Sequence, residues 1–173
     1  MLATIGAILV TSPEARAADP WALAVAQLAA QIEPLTPQGR QVTLAVLDFT
    51  DRDGVSSEFG RLAAARLILV LGQSLRLLPI ERRSFSEYLK QLGLTRSDLL
   101  DPDNARRFAH EVGGLELLVV TGLSDLGDQV GLDARVVHIG TNESLGVTSV
   151  RVPKDTKVRR LLEAGRDGPG GTR

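Results

Sequence analysis

The chain has 173 residues, of which 43% are hydrophobic and 24% are charged, and its formal net charge is −1. This composition is typical of one folded domain of ordinary size and excludes an intrinsically disordered chain. The small net charge and an aromatic content of only 3% argue against the basic surfaces and stacking platforms with which proteins bind nucleic acids.

The residue types that carry most metal and covalent chemistry are scarce. The sequence contains no cysteine, so we expect no disulfide, no thiolate nucleophile and no lipid-modified cysteine of the kind that anchors bacterial lipoproteins. His110 and His138 are far apart in sequence, and a zinc site built on them would need several carboxylates. We therefore expect no metal, no other cofactor and no lipid anchor.

The N-terminal segment has the anatomy of a secretory signal peptide. A short apolar run from Leu2 to Val10 is followed by a proline-containing break and the small-x-small sequence Ala15-Arg16-Ala17. At roughly nine residues the run is too short to span a bilayer. It lacks the usual Lys or Arg before the apolar run, so the signal is atypical or the true start lies upstream; an apolar N-terminus that frays is the alternative. We expect residues 1–17 to direct export, leaving a mature chain without a transmembrane span.

The next segment predicts an appended helix. Asp19 suits the N-cap and Pro20 the first helical position, and the apolar residues between Trp21 and Ile32 follow helical spacing. Two prolines end the helix, so residues 18–37 are assigned to an appended helix and its linker.

The rest of the chain alternates strands and helices. Val42 to Phe49 is apolar on both faces, as is typical of a central strand covered on both sides. Val130 to Val137 alternates apolar and polar residues over most of its length, which is typical of a half-buried strand. Cap and turn residues predict the remaining elements: a helix capped by Ser56 or Ser57 that runs to about Gly72, a strand from Leu75 to Ile80, helices from Ser84 to Gln91 and from Asp103 to Val112, and strands from Leu115 to Gly122 and from about Ser144 to Val152.

This order, β-α-β-α-α-β-β-β, predicts an α/β (α+β) fold class. We expect residues 38–153 to form a single domain, in which helices pack on a mixed sheet of about five strands. Beyond Pro153 the chain is basic and rich in glycine, so residues 154–173 are predicted to form a flexible tail.

One acidic motif resembles a catalytic one. Asp51-Arg52-Asp53-Gly54-Val55 is similar to the first motif of haloacid dehalogenase-type phosphatases, which requires a nucleophilic carboxylate at a strand end, a Mg²⁺ ion and a lysine. Here Asp51 follows Thr50 inside the loop and does not end the strand. The later acidic residues that such a site would use are Asp128 and Asp133, and the only lysine between them and Asp51 is Lys90, on a helix with a surface pattern. Turn formation explains the motif. We predict that the protein is not an enzyme, and keep a Mg²⁺-dependent phosphatase as the enzymatic alternative.

Two groups of residues are candidate sites. Arg61, Ala65 and Ile68 lie opposite the core stripe of their helix, which is apolar most of the way round, so we expect the appended helix or another subunit to cover this interaction face. Asp48 and Arg82 follow two strands that end at the same edge of the sheet. We expect a structural ion pair between them, because an arginine fork on a carboxylate fixes such an edge geometrically.

Several segments, taken in order, resemble the FlgO-type domain. This family belongs to a group that is similar to the curli-secretion protein CsgG and to the N-terminal domain of TolB. The matching segments lie between about residues 38 and 153, and they are Val42 to Phe49 (VTLAVLDF), Phe59 to Ala63 (FGRLA), Pro79 to Arg83 (PIERR), Leu99 to Ala105 (LLDPDNA), Gly122 to Gly127 (GLSDLG) and Val130 to Asn142.

The resemblance implies an exported domain without catalytic residues that takes part in envelope assemblies at the outer membrane or the flagellum. CsgG-type relatives form a secretion pore, but this chain has neither a lipidation cysteine nor long inserted hairpins, so no pore is expected. The prediction is a periplasmic interaction module, peripheral to the outer membrane, that binds envelope proteins or further copies of itself as a homo-oligomer. Regulation of a peptidoglycan synthase, a role known for a lipoprotein of similar fold, is a further alternative.

Overall fold

The computed structural model describes residues 19–165, and its element order confirms the predicted fold class. One mixed five-stranded sheet carries helices on both faces. The strands are β1 (Val42–Val46), β2 (Leu77–Pro79), β3 (Leu115–Asp125), β4 (Gln129–His138) and β5 (Glu143–Pro153). The helices are α1 (Pro20–Ile32), α2 (Glu58–Leu71), α3 (Arg82–Leu92), α4 (Pro102–Val112) and α5 (Thr156–Glu163), with 3-10 turns at Glu33–Leu35 and Ser97–Leu100.

The order of the strands across the sheet is β2-β1-β3-β4-β5. β1 pairs in parallel with β2 and with β3, whereas β3, β4 and β5 form an antiparallel meander. The crossover from β1 to β2 runs through α2, and the crossover from β2 to β3 runs through α3 and α4 on the opposite face of the sheet. The loops that follow β1 and β2 therefore lead to opposite faces of the sheet.

Two hydrophobic cores cover the two faces of the sheet. Neighbouring residues of β1 point into different cores, since Leu44 belongs to the first and Ala45 to the second. The first core lies under α1, α2 and α5, and the second lies under α3 and α4, where Phe85 and Phe108 meet edge to face. This double coverage is the reason that the sequence of β1 is apolar on both faces.

The segment predicted as an appended helix is part of the first core. Val25, Leu28 and Ile32 of α1 are fully buried. Gln31 accepts a hydrogen bond from the hydroxyl of Thr148 on β5, so α1 is attached to the far edge of the sheet as well as to α2.

Residues 154–165 do not form the flexible tail that their composition predicted. Asp155 caps α5 by accepting a hydrogen bond at 2.8 Å from the backbone N–H of Val158, and the Val158 side chain is fully buried in the first core. The helical spacing of Val158, Leu161 and Leu162 places all three against this core, although basic residues surround them. Residues 166–173 and the predicted signal peptide, residues 1–17, lie outside the described residues.

The second strand is shorter than predicted. Only Leu77–Pro79 pairs with β1, and Leu75 is 89% exposed in the turn before it. β2 is an edge strand, and Pro79 is tolerated there because the N–H that bonds to β1 belongs to Ile80, which donates to the carbonyl of Leu44 at 2.9 Å.

Candidate functional site

A buried carboxylate lies just beyond β1, at the carboxyl end of the parallel strands. Asp48 is only 6% exposed. Its Oδ1 atom lies 2.7 Å from Nη2 of Arg82, and its Oδ2 atom lies 2.5 Å from Nη1 of Arg96. The structure thus brings together Asp48 and Arg82, and it adds Arg96, which no sequence pattern had indicated.

Further contacts hold each guanidinium group in place. Arg82 is the first residue of α3, and its Nη1 donates a hydrogen bond at 2.9 Å to the backbone carbonyl of Arg61 on α2. Arg96 lies beyond α3 in the chain, and its Nη2 donates to the hydroxyl of Ser86 at 3.2 Å. The guanidinium carbon of Arg96 also lies 5.9 Å from the centre of the Phe85 ring, within the range of a cation–π contact. Through these two arginines, Asp48 links the segment after β1 to α2, to the first residue of α3 and to the turn that follows α3.

The cluster carries more positive than negative charge around Arg82. The pKa of Arg82 lies below its ordinary value, chiefly because the side chain is partly buried. The carboxylate of Asp48 raises this pKa, but the positive charges of Arg96 and Arg61 lower it. Because an arginine keeps its proton even so, the two arginines that contact Asp48 outnumber the one carboxylate that they share.

A cleft of about 360 Å³ opens beside the cluster. Its polar wall consists of the ion-paired Asp48 and Arg96 and of hydroxyl-bearing side chains, and its apolar wall consists of Leu47, Leu100 and Val120. The hydroxyl residues are Thr50, Ser56, Thr95, Ser97 and Thr121. The cleft therefore joins an end that holds an arginine and its carboxylate partner to an apolar surface.

The acidic loop that resembles a phosphatase motif forms a turn. The Oδ1 atom of Asp51 accepts hydrogen bonds from the backbone N–H groups of Asp53, at 3.0 Å, and of Val55, at 2.9 Å. Gly54 has a positive φ of 75°, which glycine adopts without strain. Between residues 19 and 165, no group of three or more His, Asp or Glu side chains is arranged to hold a metal ion.

The residues predicted to form an interaction face on α2 have different environments. Arg61 is half-buried, and its Nη1 donates a hydrogen bond at 3.0 Å to the backbone carbonyl of Gly165. Ile68 packs partly against the first core, and Ala65 is exposed. The three residues therefore do not share one exposed surface.

Different apolar residues of α2 face outwards. Leu62 is 40% exposed and Leu69 is 57% exposed. The small residues Gly60, Ala63 and Ala64 are buried instead. Because these side chains are small, the helix lies close to the sheet on this side. The larger Leu62 and Leu69 therefore face outwards instead.

Comparisons with known proteins identify the fold. No family model matches the chain, and no curated protein matches its sequence. The C-terminal domain of LpoB from Salmonella enterica has a similar structure, with a TM-score of 0.63 and 19% identity over 78% of this chain and 98% of that domain. The same domain from Escherichia coli gives a TM-score of 0.63 at 18% identity, with the same coverage. The NMR structure of E. coli LpoB gives 0.60 at 18% identity, over 90% of this chain and 79% of that one.

At these identities the similarity shows a shared fold. The comparisons do not show the FlgO-type family, so that resemblance stays a prediction. Within the part of the chain that the structure describes, no helix is both long enough and apolar enough to cross a membrane.

Proposed function

We propose that the protein is a non-catalytic interaction module of the bacterial cell envelope, exported to the periplasm and peripheral to the outer membrane. The observation that carries the proposal is the similarity in fold to the C-terminal domain of LpoB, which extends over 98% of that domain. The signal-peptide pattern of residues 1–17 supports export independently of the fold.

The surface that best suits a protein partner lies on the outer sides of α1 and α2. We define this α1–α2 outer surface by Leu23, Leu62, Ala65, Arg66 and Leu69, all of which are exposed. The two helices pack against each other on one face of the sheet. Apolar side chains beside an arginine are the usual composition of a protein interface, since apolar contact supplies binding energy and arginine adds hydrogen bonds at the rim.

Two envelope processes are the specific candidates. Regulation of a peptidoglycan synthase is the one that the LpoB-like fold favours. The FlgO-like role in outer-membrane or flagellar assembly rests on the segments named in the sequence. Both require a protein partner, and neither requires a catalytic group in this chain.

The first experiment tests a synthase as the partner. The purified chain is added to a purified bifunctional peptidoglycan synthase from the same organism, and binding and the rate of glycan polymerisation are measured. We expect binding and a changed rate with the unmodified chain, and loss of both with the double variant L62Q/L69Q. The matched control is Leu75→Gln, which replaces a leucine that is 89% exposed in a turn away from the α1–α2 outer surface.

The outcomes separate the parts of the proposal. If L62Q/L69Q acts like the unmodified chain, the assigned surface is wrong. If the synthase is neither bound nor affected, the synthase role is wrong, and a motility assay on a deletion strain decides the flagellar role. If fractionation finds the protein only in the cytoplasm, the envelope assignment itself fails.

A further inference from the structure

We propose that the cleft beside Asp48 binds a small ligand that ends in an oxyanion, a carboxylate or a phosphate, held by Arg96 and by the hydroxyl of Thr50. The ligand site does not depend on the partner-binding role proposed above, because the cleft and the α1–α2 outer surface are made of different residues.

The position of the cleft in the sheet is the first argument. It lies outside the carboxyl end of β1 and beside β3, and Leu47 and Val120 contribute side chains from these two segments. The crossovers that follow β1 and β2 run on opposite faces of the sheet, so the loops after these two neighbouring strands lead to opposite faces. The loops on the two sides of such a point diverge and leave a crevice, which is where α/β sheets bind ligands.

The charge at the Asp48 end of the cleft is the second argument. Asp48 and Arg96 both line the cleft, and Arg82, which does not line it, engages the other carboxylate oxygen of Asp48. Asp98 of the 95–98 turn accepts hydrogen bonds at 2.7 Å from both the backbone N–H and the hydroxyl of Thr95. An anion that enters here therefore meets Arg96 directly, beside a carboxylate whose charge is shared between two arginines.

The available hydrogen-bond donors are the third argument. A guanidinium group has five N–H donors, and Arg96 uses one on Nη1 for Asp48 and one on Nη2 for Ser86. The remaining N–H groups and the hydroxyl of Thr50 suit an acceptor with two or three oxygens. A carboxylate and a phosphate both meet this requirement.

The apolar wall limits the chemistry of the ligand beyond its oxyanion. Leu47, Leu100 and Val120 offer no hydrogen bonds from their side chains, so the part of the ligand next to its charged group is expected to be hydrocarbon. A short alkyl chain that buries two or three methylene groups there raises the affinity about tenfold to hundredfold over the bare anion.

The experiment is an NMR titration of the isotope-labelled 173-residue chain. Sodium phosphate, sodium acetate, octyl phosphate and sodium octanoate are the probes, and sodium chloride at equal ionic strength is the reference. We expect saturable shifts of the backbone amides of Thr50, Arg96 and Thr121 with at least one oxyanion. The octyl probes are expected to bind at least tenfold more tightly than the bare anion with the same headgroup. Saturation by phosphates only, or by carboxylates only, identifies the headgroup and supports the site.

Matched variants assign the site to Arg96. Arg96→Gln is expected to weaken binding at least tenfold, whereas Arg83→Gln, which removes an exposed arginine from the same helix as Arg82, leaves it unchanged. If Arg96→Gln does not fold, Thr50→Val replaces it and is expected to weaken binding at least threefold. Shifts that do not saturate, that match those in chloride, that fall elsewhere on the chain, or that persist unchanged in the folded variant overturn the proposal.

Discussion

The first turn of α2 lies so close to the segment after β1 that a Cβ atom at Gly60 would be 2.1 Å from the carbonyl oxygen of Phe49. Cβ atoms essentially never lie that close to a backbone oxygen, so the helix packs on this segment only because residue 60 has no side chain. This contact fixes the start of α2, and with it the loop that forms one side of the cleft.

Gly60→Ala is therefore expected to destabilise the protein by about 2 kcal/mol, because the helix must move away from β1. Helix propensity alone predicts the opposite: replacing glycine by alanine within a helix raises the free energy of unfolding by about 1 kcal/mol. Urea unfolding measures the difference. The control is Ala65→Gly at an exposed position of the same helix, which should cost about 1 kcal/mol through propensity. A Gly60→Ala protein more stable than the unmodified one would contradict the close approach.

Asp48→Asn should destabilise the fold by about 3 kcal/mol, because it leaves Arg82 and Arg96 without the carboxylate that both contact. Arg82→Gln should lower the free energy of unfolding by less, because the ion pair between Asp48 and Arg96 remains. The control is Asp103→Asn, which breaks an exposed pair with Arg106 within α4 and should change the free energy of unfolding by less than about 0.5 kcal/mol. Equal losses for Asp48→Asn and Asp103→Asn would show that the buried cluster contributes nothing.

The stability of the folded state is expected to depend on pH through the carboxyl group of Glu33. Its pKa lies below the ordinary value of 4.5, chiefly because its carboxylate accepts a hydrogen bond from the Ser74 hydroxyl and also because it accepts one from Arg76. The folded state therefore binds the proton less tightly than the unfolded state does. The resulting stability is present above pH 4.5 and is lost as the pH falls through the lowered pKa.

In urea titrations between about pH 6 and pH 3, Glu33→Gln should flatten the acid-side loss of unfolding free energy. Ser74→Ala should flatten it partly, because the salt bridge to Arg76 remains. Identical pH profiles for Glu33→Gln and the unmodified protein would rule out this contribution.

Val158→Ala should cost about 2 kcal/mol, since the buried side chain joins α5 to the first core and its removal leaves a cavity. Arg160→Ala, on the exposed side of the same helix, should stay within about 0.5 kcal/mol of the unmodified protein. Limited proteolysis gives a second measurement, because a released α5 is cleaved faster. If neither stability nor cleavage changes in Val158→Ala, α5 does not stabilise the domain.

Local sequence patterns determined most of the architecture. Alternation in β4, apolar residues on both faces of β1, and the Asp101-Pro102 start of α4 each depend on neighbours within a few residues, so the amino-acid sequence alone predicts the order of the main elements from α1 to β5. The pairing of Asp48 with Arg82 was also accessible, because both residues lie just beyond parallel strands that end at one edge.

Other features depend on contacts between distant parts of the chain, and only the tertiary structure decided them. Arg96 reaches Asp48 across 48 residues of sequence, and Gly60 packs closely on the backbone of Phe49, beyond the end of β1. The composition of residues 154–165 is that of a solvated tail, yet α5 forms because Val158 finds a place in a core built from α1, α2 and the sheet. Spacing along the chain fixes which residues share a face, but the surface that covers each face is set by how the elements pack.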